Sequence, residues 1–377
     1  MELIARGGAR EVGRSCAHLT VENRDYLIDC GLKQSHPTSY PDFTGLAPGQ
    51  IDAVFLTHAH IDHTGALPLC EARGLLADDA PIIATRSTGA LAHILLWDSF
   101  KIHTMEMAER NQPQRYTEDD VQRTLERFDG VPYGSDAHYN IEYQFSDAGH
   151  LLGSAWHALT HNGQRVLFSG DPGERSAHLS AIKTPPDADT LVLESTYGDT
   201  HTHRSFGDAR TELVETALDA AQDDIPVLIP TFAIGRAQEI LQLFREREPT
   251  LPDDVAIVYD GMIEDSMNVY NVFASEPYVN ESLINYHINS GDTEPFLPAR
   301  ASTPDTMADR ETLLDGETAP PSSSRPAGCS LAGGHHTTSG NSPTSMRRHE
   351  CCLPGIKHEA LSDASSKTNQ PISLRLS

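Results

Sequence analysis

The chain has 377 residues, 54 acidic against 28 basic, and a formal charge of −26. A length beyond the ~250–300 residues at which a single core stops growing predicts more than one domain. No run of ~18 apolar residues and no signal-peptide pattern occurs, which sets aside membrane-spanning and secreted readings for a cytoplasmic one. Six cysteines without a CxxC pair argue against a disulfide framework or a cysteine-built zinc ribbon. Only five of the 28 basic residues are lysine. An acidic, lysine-poor composition reads as adaptation to high salt, where a large net charge keeps protein soluble and self-repulsion is screened. A nucleic-acid substrate stays open, because a local basic groove can sit inside a negative molecule.

In chain order, Leu19–Glu22 and Tyr26–Ile28 flank Asn23-Arg24 in a hairpin-like pattern. Ala53–Leu56 is a short apolar run of the buried-strand type that ends in a polar cluster. Thr85–His103 and Thr117–Phe128 read as helices, the second opened by Thr117 as N-cap with acidic residues behind it. Val166–Phe168 and Leu191–Leu193 repeat the strand pattern, each followed within a few positions by an acidic residue. A helix at Arg210–Asp219, a strand at Pro226–Pro230 and a helix at Arg236–Arg247 follow. The alternation predicts a layered α/β protein.

Composition breaks near residue 320. Residues 1–320 carry 22 basic and 51 acidic residues; residues 321–377 carry six and three, with 12 serines and half of the cysteines. The segment reads either as a disordered Ser/Gly/Pro tail or as a stretch translated in a shifted frame. Back-translating Pro321–Gly334 and starting each codon one base early permits I-I-V-T-T-S-G-M-L-T-G-G. The same shift over Cys351–Asp363 permits V-L-P-T-G-N-Q-A-R-G-T-L-G. Both strings place apolar or Gly-rich sequence where the written frame gives Ser, Pro and Cys.

The chemistry concentrates in Thr57-His58-Ala59-His60-Ile61-Asp62-His63, directly after an apolar strand. Four potential ligands in six residues cannot share one helix face or one strand face, so a turn must gather them. Imidazole and carboxylate at this density suit zinc or a similar divalent ion.

With further residues, the HxHxDH pattern resembles the metallo-β-lactamase superfamily. Asp29, in Leu27-Ile-Asp-Cys-Gly31, matches the strand-end Asp of its first motif; His150, in Ala148-Gly-His-Leu-Leu-Gly153, matches the third-motif ligand; Asp171, in Ser169-Gly-Asp-Pro-Gly173, matches the fourth-motif carboxylate. The resemblance implies that His58, His60 and His150 hold one ion, Asp62 and His63 the other, and Asp171 bridges, while Asp29 orients a histidine ligand from behind. Leu191-Val-Leu-Glu-Ser-Thr-Tyr-Gly-Asp199 and Pro230-Thr-Phe-Ala-Ile-Gly-Arg-Ala-Gln-Glu-Ile-Leu241 are similar to motifs of the β-CASP branch, which consists of RNA- and DNA-processing nucleases. There Glu194 is the acidic residue of the site, and Arg236 and Gln238 open a helix that would bind phosphate, the alternative for Arg236 being a salt bridge to Glu239 or Asp260.

The implied fold is an αββα metallo-β-lactamase sandwich with an inserted cap: metallo domain at 1–200, partial β-CASP cap at 201–320, anomalous tail at 321–377. The resemblance is strongest to archaeal homologues of the cleavage and polyadenylation specificity factor nuclease that lack KH modules, since residue 1 already falls at the first strand; archaeal ribonuclease J is a near cousin. Two zinc ions (manganese being the alternative) and single-stranded RNA are the implied cofactors and partner, with a homodimer left open and no membrane. The family closes its second metal site with histidines from a C-terminal return, which no segment after residue 320 matches, so that site is expected to be incomplete. Three functions follow: a zinc-dependent ribonuclease with Asp62, His63, Asp171 and Glu194 as catalytic residues, acting as endonuclease, 5′ exonuclease or both; a catalytically impaired RNA-binding or assembly paralogue; and a small-molecule metallo-hydrolase, which the cap signature disfavours.

Overall fold

A computed structural model describes residues 1–173, 176–223, 225–252, 255–304, 306 and 308–310, together with the strand backbones 327–333 and 372–375. The rest of the 321–377 tail, with His335, His336, His349 and His358, lies outside the described residues. Two compact units divide the chain. One comprises Met1–Thr200 with Val272–Gly291 and the strand at 372–375; the other comprises His201–Asn271 and the described residues from Asp292 to 333. The stretch 201–320 is therefore shared between them: Val272–Gly291 packs with the first unit.

The first unit is built on two sheets. Strands β1 (Glu2–Gly7), β2 (Cys16–Val21), β3 (Arg24–Ile28), β4 (Ile51–Phe55), β5 (Ile82–Thr85) and β6 (Phe128–Val131) lie side by side in sequence order, and the strand Ile372–Arg375 pairs antiparallel with β1. The β2–β3 hairpin is antiparallel, whereas β3, β4, β5 and β6 run parallel. The second sheet orders β11 (Thr190–Val192), β10 (Gln164–Phe168), β9 (Ala155–His161), β8 (Ile141–Asp147) and β7 (Gly134–His138), all antiparallel except for the parallel β10–β11 pair.

Alternation sorts the side chains of the first sheet onto two buried faces. Val54, Leu56 and Ile82 join Leu67, Leu69, Leu96 and Val121 of the flanking helices α2 (Leu67–Ala72), α3 (Arg86–Glu109) and α4 (Glu118–Glu126). Ala53, Phe55 and Ile83 face the second sheet and pack on Phe145, Leu159, Val166 and Phe168. Helix α4 begins where the sequence marks it: Thr117 accepts from the Asp120 N–H while Asp120 accepts from that of Thr117, a reciprocal box worth about 1 kcal/mol.

The second unit holds a parallel sheet in the order β12 (Val227–Thr231), β15 (Ala327–Gly333), β13 (Val255–Asp260), β14 (Ala301–Ser302). Helices α5 (Phe206–Gln222), α6 (Arg236–Arg247) and α7 (Met262–Val272) alternate with its strands, and α6 has the bounds read from the sequence. The backbone of 327–333, inside the anomalous tail, runs between β12 and β13 as a full strand. No helix among the described residues is long and apolar enough to cross a membrane.

Candidate metal centre

Every side chain of the cluster sits just past the carboxyl end of a strand. Asp29 follows β3; His58, His60, Asp62 and His63 follow β4, the last two on the single helical turn Ile61–Thr64; His150 follows β8; Asp171 follows β10 and Glu194 follows β11. Two sheets thus aim their ends at one place.

Glycines bring the loops close enough. Gly149 adopts φ +72°, and a Cβ there would lie 2.6 Å from the Gly173 carbonyl; the Gly173 N–H donates to Ala148 O at 2.8 Å. Gly170, at φ +56°, would place a Cβ 2.8 Å from that of Thr57. Larger residues at either position would hold Asp171 away from His150 and His58. The His150 loop is closed by Ser154, whose Oγ accepts the N–H groups of His150 and Leu151 at 3.0 and 3.1 Å, and by Asp147, which accepts that of Gly149 at 2.7 Å.

At the centre, His60 Nδ1 lies 3.1 Å from His58 Nε2 and 3.2 Å from His150 Nε2. One oxygen of Asp171, Oδ2, stands 3.8 Å from each of His58 Nε2 and His150 Nε2, while Oδ1 faces His63 Nε2 at 3.4 Å. His63 Nε2 is also 4.0 Å from Asp62 Oδ2. Ligand atoms of His58, His60, His150 and Asp171 all fall within 4.8 Å of one another. A cation would satisfy the converging ring nitrogens together, and their separation is close to the ~3.3 Å edge of a tetrahedron with metal–nitrogen bonds of about 2.0–2.1 Å. The donor set fits a divalent ion, and Asp171 presents one oxygen to each half of the cluster.

Hydrogen bonds behind the ligands fix which nitrogen is free. Asp29, buried and held at φ +59°, accepts from His63 Nδ1 at 2.7 Å and from the Thr57 N–H and hydroxyl at 2.8 and 3.0 Å. With its proton given to Asp29, the Thr57 hydroxyl accepts from His58 Nδ1 at 3.0 Å. Both rings then turn Nε2 inward, the usual second-layer device of metal sites. Thr57 carries this arrangement, and its place directly before the His-rich run was the available signal for it.

Electrostatics matches that geometry. Burial pushes His58 well below its ordinary value, with His63, His60 and His150 adding to the effect, so the ring is neutral and able to ligate. Burial also opposes charge on His63, but Asp29, Asp171 and Asp62 outweigh it and raise the ring to about 9, so near neutral pH Nε2 holds a proton that a cation would displace. Asp171 is pushed up to about 6 by burial, with Asp62, Asp29 and Glu194 as negative neighbours and His63 opposing. Ser169 places Glu194 here: its N–H donates to Val192 O and its hydroxyl accepts the Glu194 N–H at 3.1 Å. Carboxylates crowded around a buried carboxyl form the field that a divalent cation neutralises.

In the second unit, Arg236 is exposed at the start of α6 and has no ion-pair or hydrogen-bond partner among the described residues, neither Glu239 nor Asp260; Asp260 is held by Arg310 at 2.7 and 2.8 Å. Gln238 has a different place from the phosphate-binding one expected. Its side chain is fully buried, with Oε1 accepting the Gly235 N–H at 2.7 Å and Nε2 donating to Ala233 O and Ser266 Oγ. All of its reach is used in shaping the Gly235 turn, so no donor faces outward.

Residues 18–190 match the Metallo-beta-lactamase superfamily domain. The domain formed by residues 18–190 belongs to that superfamily. Among the chain's relatives are Transcription termination factor FttA of Methanothermobacter thermautotrophicus, 33% identical over 84% of this chain and 50% of its own length, and Probable RNase MJ4 of Methanocaldococcus jannaschii, 34% identical over 70% of this chain and 60% of its own. Ribonuclease TTHA0252 of Thermus thermophilus is 35% identical over 67% of this chain and 56% of its own length. The chain thus spans between 50% and 60% of the length of these curated relatives.

Proposed function

We propose that this chain is a metal-dependent hydrolase of single-stranded RNA built around two zinc ions, the second held by fewer of the chain's ligands than the first. The observation that carries the reading is the placement of Asp171, with one oxygen toward His58 and His150 and the other toward His63. His58, His60 and His150 would hold one ion, Asp62 and His63 the other, and Asp171 both; nitrogen and oxygen ligands of this kind favour zinc over harder ions. Such a pair supplies an activated water near neutral pH and a positive clamp for phosphate oxygens. The chain's own groups do the rest. Asp29 keeps the His63 proton on Nδ1, Thr57 keeps that of His58 on Nδ1, and Glu194 adds negative charge beside Asp171. The free guanidinium of Arg236 offers a planar fork to a backbone phosphate. RNA as the substrate is supported by the ribonuclease names of two relatives.

The test is cleavage of a labelled single-stranded RNA by the recombinant chain. Chelation should stop it and added zinc should restore it. His63→Ala and Asp62→Ala should abolish cleavage while RNA binding survives. Cleavage that persists after chelation or in His63→Ala, or turnover of a thioester or β-lactam with RNA left intact, would refute the reading.

A further inference from the structure

The turn between β1 and β2 contributes no metal ligand, yet it is built against the metal centre. Gly7 at the end of β1 pairs with Cys16 at the start of β2, and β2 runs antiparallel to β3, whose carboxyl end carries Asp29. The turn therefore lies at the same end of the sheet as the cluster. Contacts make the placement specific. Ser15 donates its N–H to the carbonyl of Asp62 at 2.8 Å and accepts that of Gly31 at 2.9 Å, while Arg14 donates its N–H to Leu32 O at 3.2 Å. A Cβ on Gly7 would lie 2.1 Å from the Arg14 carbonyl, so the turn closes tightly at its base.

Charge within the turn is already sorted. Both oxygens of Glu11 are occupied, by Arg14 Nε at 2.6 Å and Lys33 Nζ at 3.3 Å, and Arg14 extends Nη1 to Tyr40 O at 2.8 Å. One carboxylate thus serves two cations, one through each oxygen, and neither contact involves a third. The third is Arg10, exposed and without a hydrogen-bond or ion-pair partner among the described residues. It adopts φ +61° and Arg14 φ +48°, a left-handed backbone that costs a non-glycine residue about 1–2 kcal/mol and persists only where its surroundings enforce it. In a chain of charge −26, an uncompensated guanidinium on a braced turn beside a metal ligand is a local reversal of sign.

We propose that Arg10 grips a phosphodiester oxygen of the single strand lying across the metal cluster, positioning the backbone next to the bond that is cut. This rests on the nucleolytic reading above. Glu11, Arg14 and Lys33 hold the turn in place, and the planar fork of Arg10 supplies the phosphate contact.

The experiment uses the full chain in chelator, so that no strand is cut. A single-stranded RNA and a single-stranded DNA of equal length are bound at several salt concentrations, with fluorescence anisotropy as the readout. Arg10→Ala should weaken both by about tenfold, the scale of one charge-assisted hydrogen bond, and reduce the salt slope by about 0.7. Arg10→Lys should restore the slope but only part of the affinity. Metal content and tryptophan fluorescence should match wild type, separating a lost contact from a lost fold. Wild-type binding together with unchanged affinity and slope in Arg10→Ala overturns the Arg10 inference and leaves the ribonuclease reading standing. A wild-type chain that binds neither strand overturns both.

Discussion

His157 offers a measure of how strongly the first unit is tied together behind its metal loop. Its ring is fully buried on β9, donates from Nε2 to Leu56 O at 3.0 Å and stacks on Phe145 with centroids 4.7 Å apart. Burial pushes the ring down to about 4 from its ordinary 6.5, against the opposing pull of Asp29 and the Leu56 carbonyl. Because the folded value is depressed, the unfolded chain takes up its proton first as pH falls. The stability at stake is whole above pH ~6.5 and drains away as pH falls toward 4; at 1.36 kcal/mol per unit the loss reaches about 3 kcal/mol at pH 4. His157→Gln keeps a donor for Leu56 O but cannot titrate. At pH 7 it should cost about 1–2 kcal/mol through lost stacking and packing. By pH 4–4.5 that deficit should close or reverse. Urea unfolding followed by tryptophan fluorescence reads this directly, since both tryptophans, Trp97 and Trp156, belong to the first unit. Chelator throughout keeps the metal ligands equal in both proteins. A gap between variant and wild type that stays constant from pH 7 to pH 4 would refute a neutral, buried His157.

Asp29→Asn should weaken metal binding by about 10–100-fold, the usual effect of removing a hydrogen-bond partner behind a ligand, as read by competition with a chelating dye; Asn cannot accept from both Thr57 and His63 without turning one of its own donors on the other. Arg236→Ala should lower affinity for single-stranded RNA by about 1–3 kcal/mol, flatten its salt dependence and leave metal content unchanged, with Arg236→Lys recovering part. Unchanged affinity and slope in a folded Arg236→Ala would move the phosphate contact elsewhere.

What the sequence disclosed depended on how local each cause is. His58, His60, Asp62 and His63 could be read together because their chemistry is crowded into six residues, and Asp29, His150 and Asp171 because each sits in a short strand-end motif. Helix α6 was legible to the residue because Gly235 and the apolar spacing behind it mark its start. Gln238 was not, because its burial is decided by Ser266, 28 residues away, and by the Ala233 carbonyl. The edge strand β7, Gly134-Ser-Asp-Ala-His138, carries no apolar alternation to mark it: its side chains are mostly exposed and it is held by backbone pairing to β8. Nor does any local pattern reveal that Val272–Gly291 packs with the first unit; its ties are to Ala177 and Ser180, such as Asn280 Nδ2 donating to Ala177 O at 2.8 Å and Ser180 Oγ donating to Pro277 O at 2.9 Å.

The division of the candidate ligands between two sheets bears on the order of assembly. His58, His60, Asp62 and His63 belong to the first sheet, His150 and Asp171 to the second, and only Pro132 and Tyr133 separate β6 of one from β7 of the other. Neither sheet alone presents the complete set, so tight metal uptake can only follow the packing of Phe55 and Ile83 onto Phe145 and Val166. An ion arriving afterwards ties together positions about a hundred residues apart and acts as a late, reversible cross-link whose gain is largest where the enclosed loop is long. Metal capture in a refolding experiment is then a clock for the closing of the sandwich.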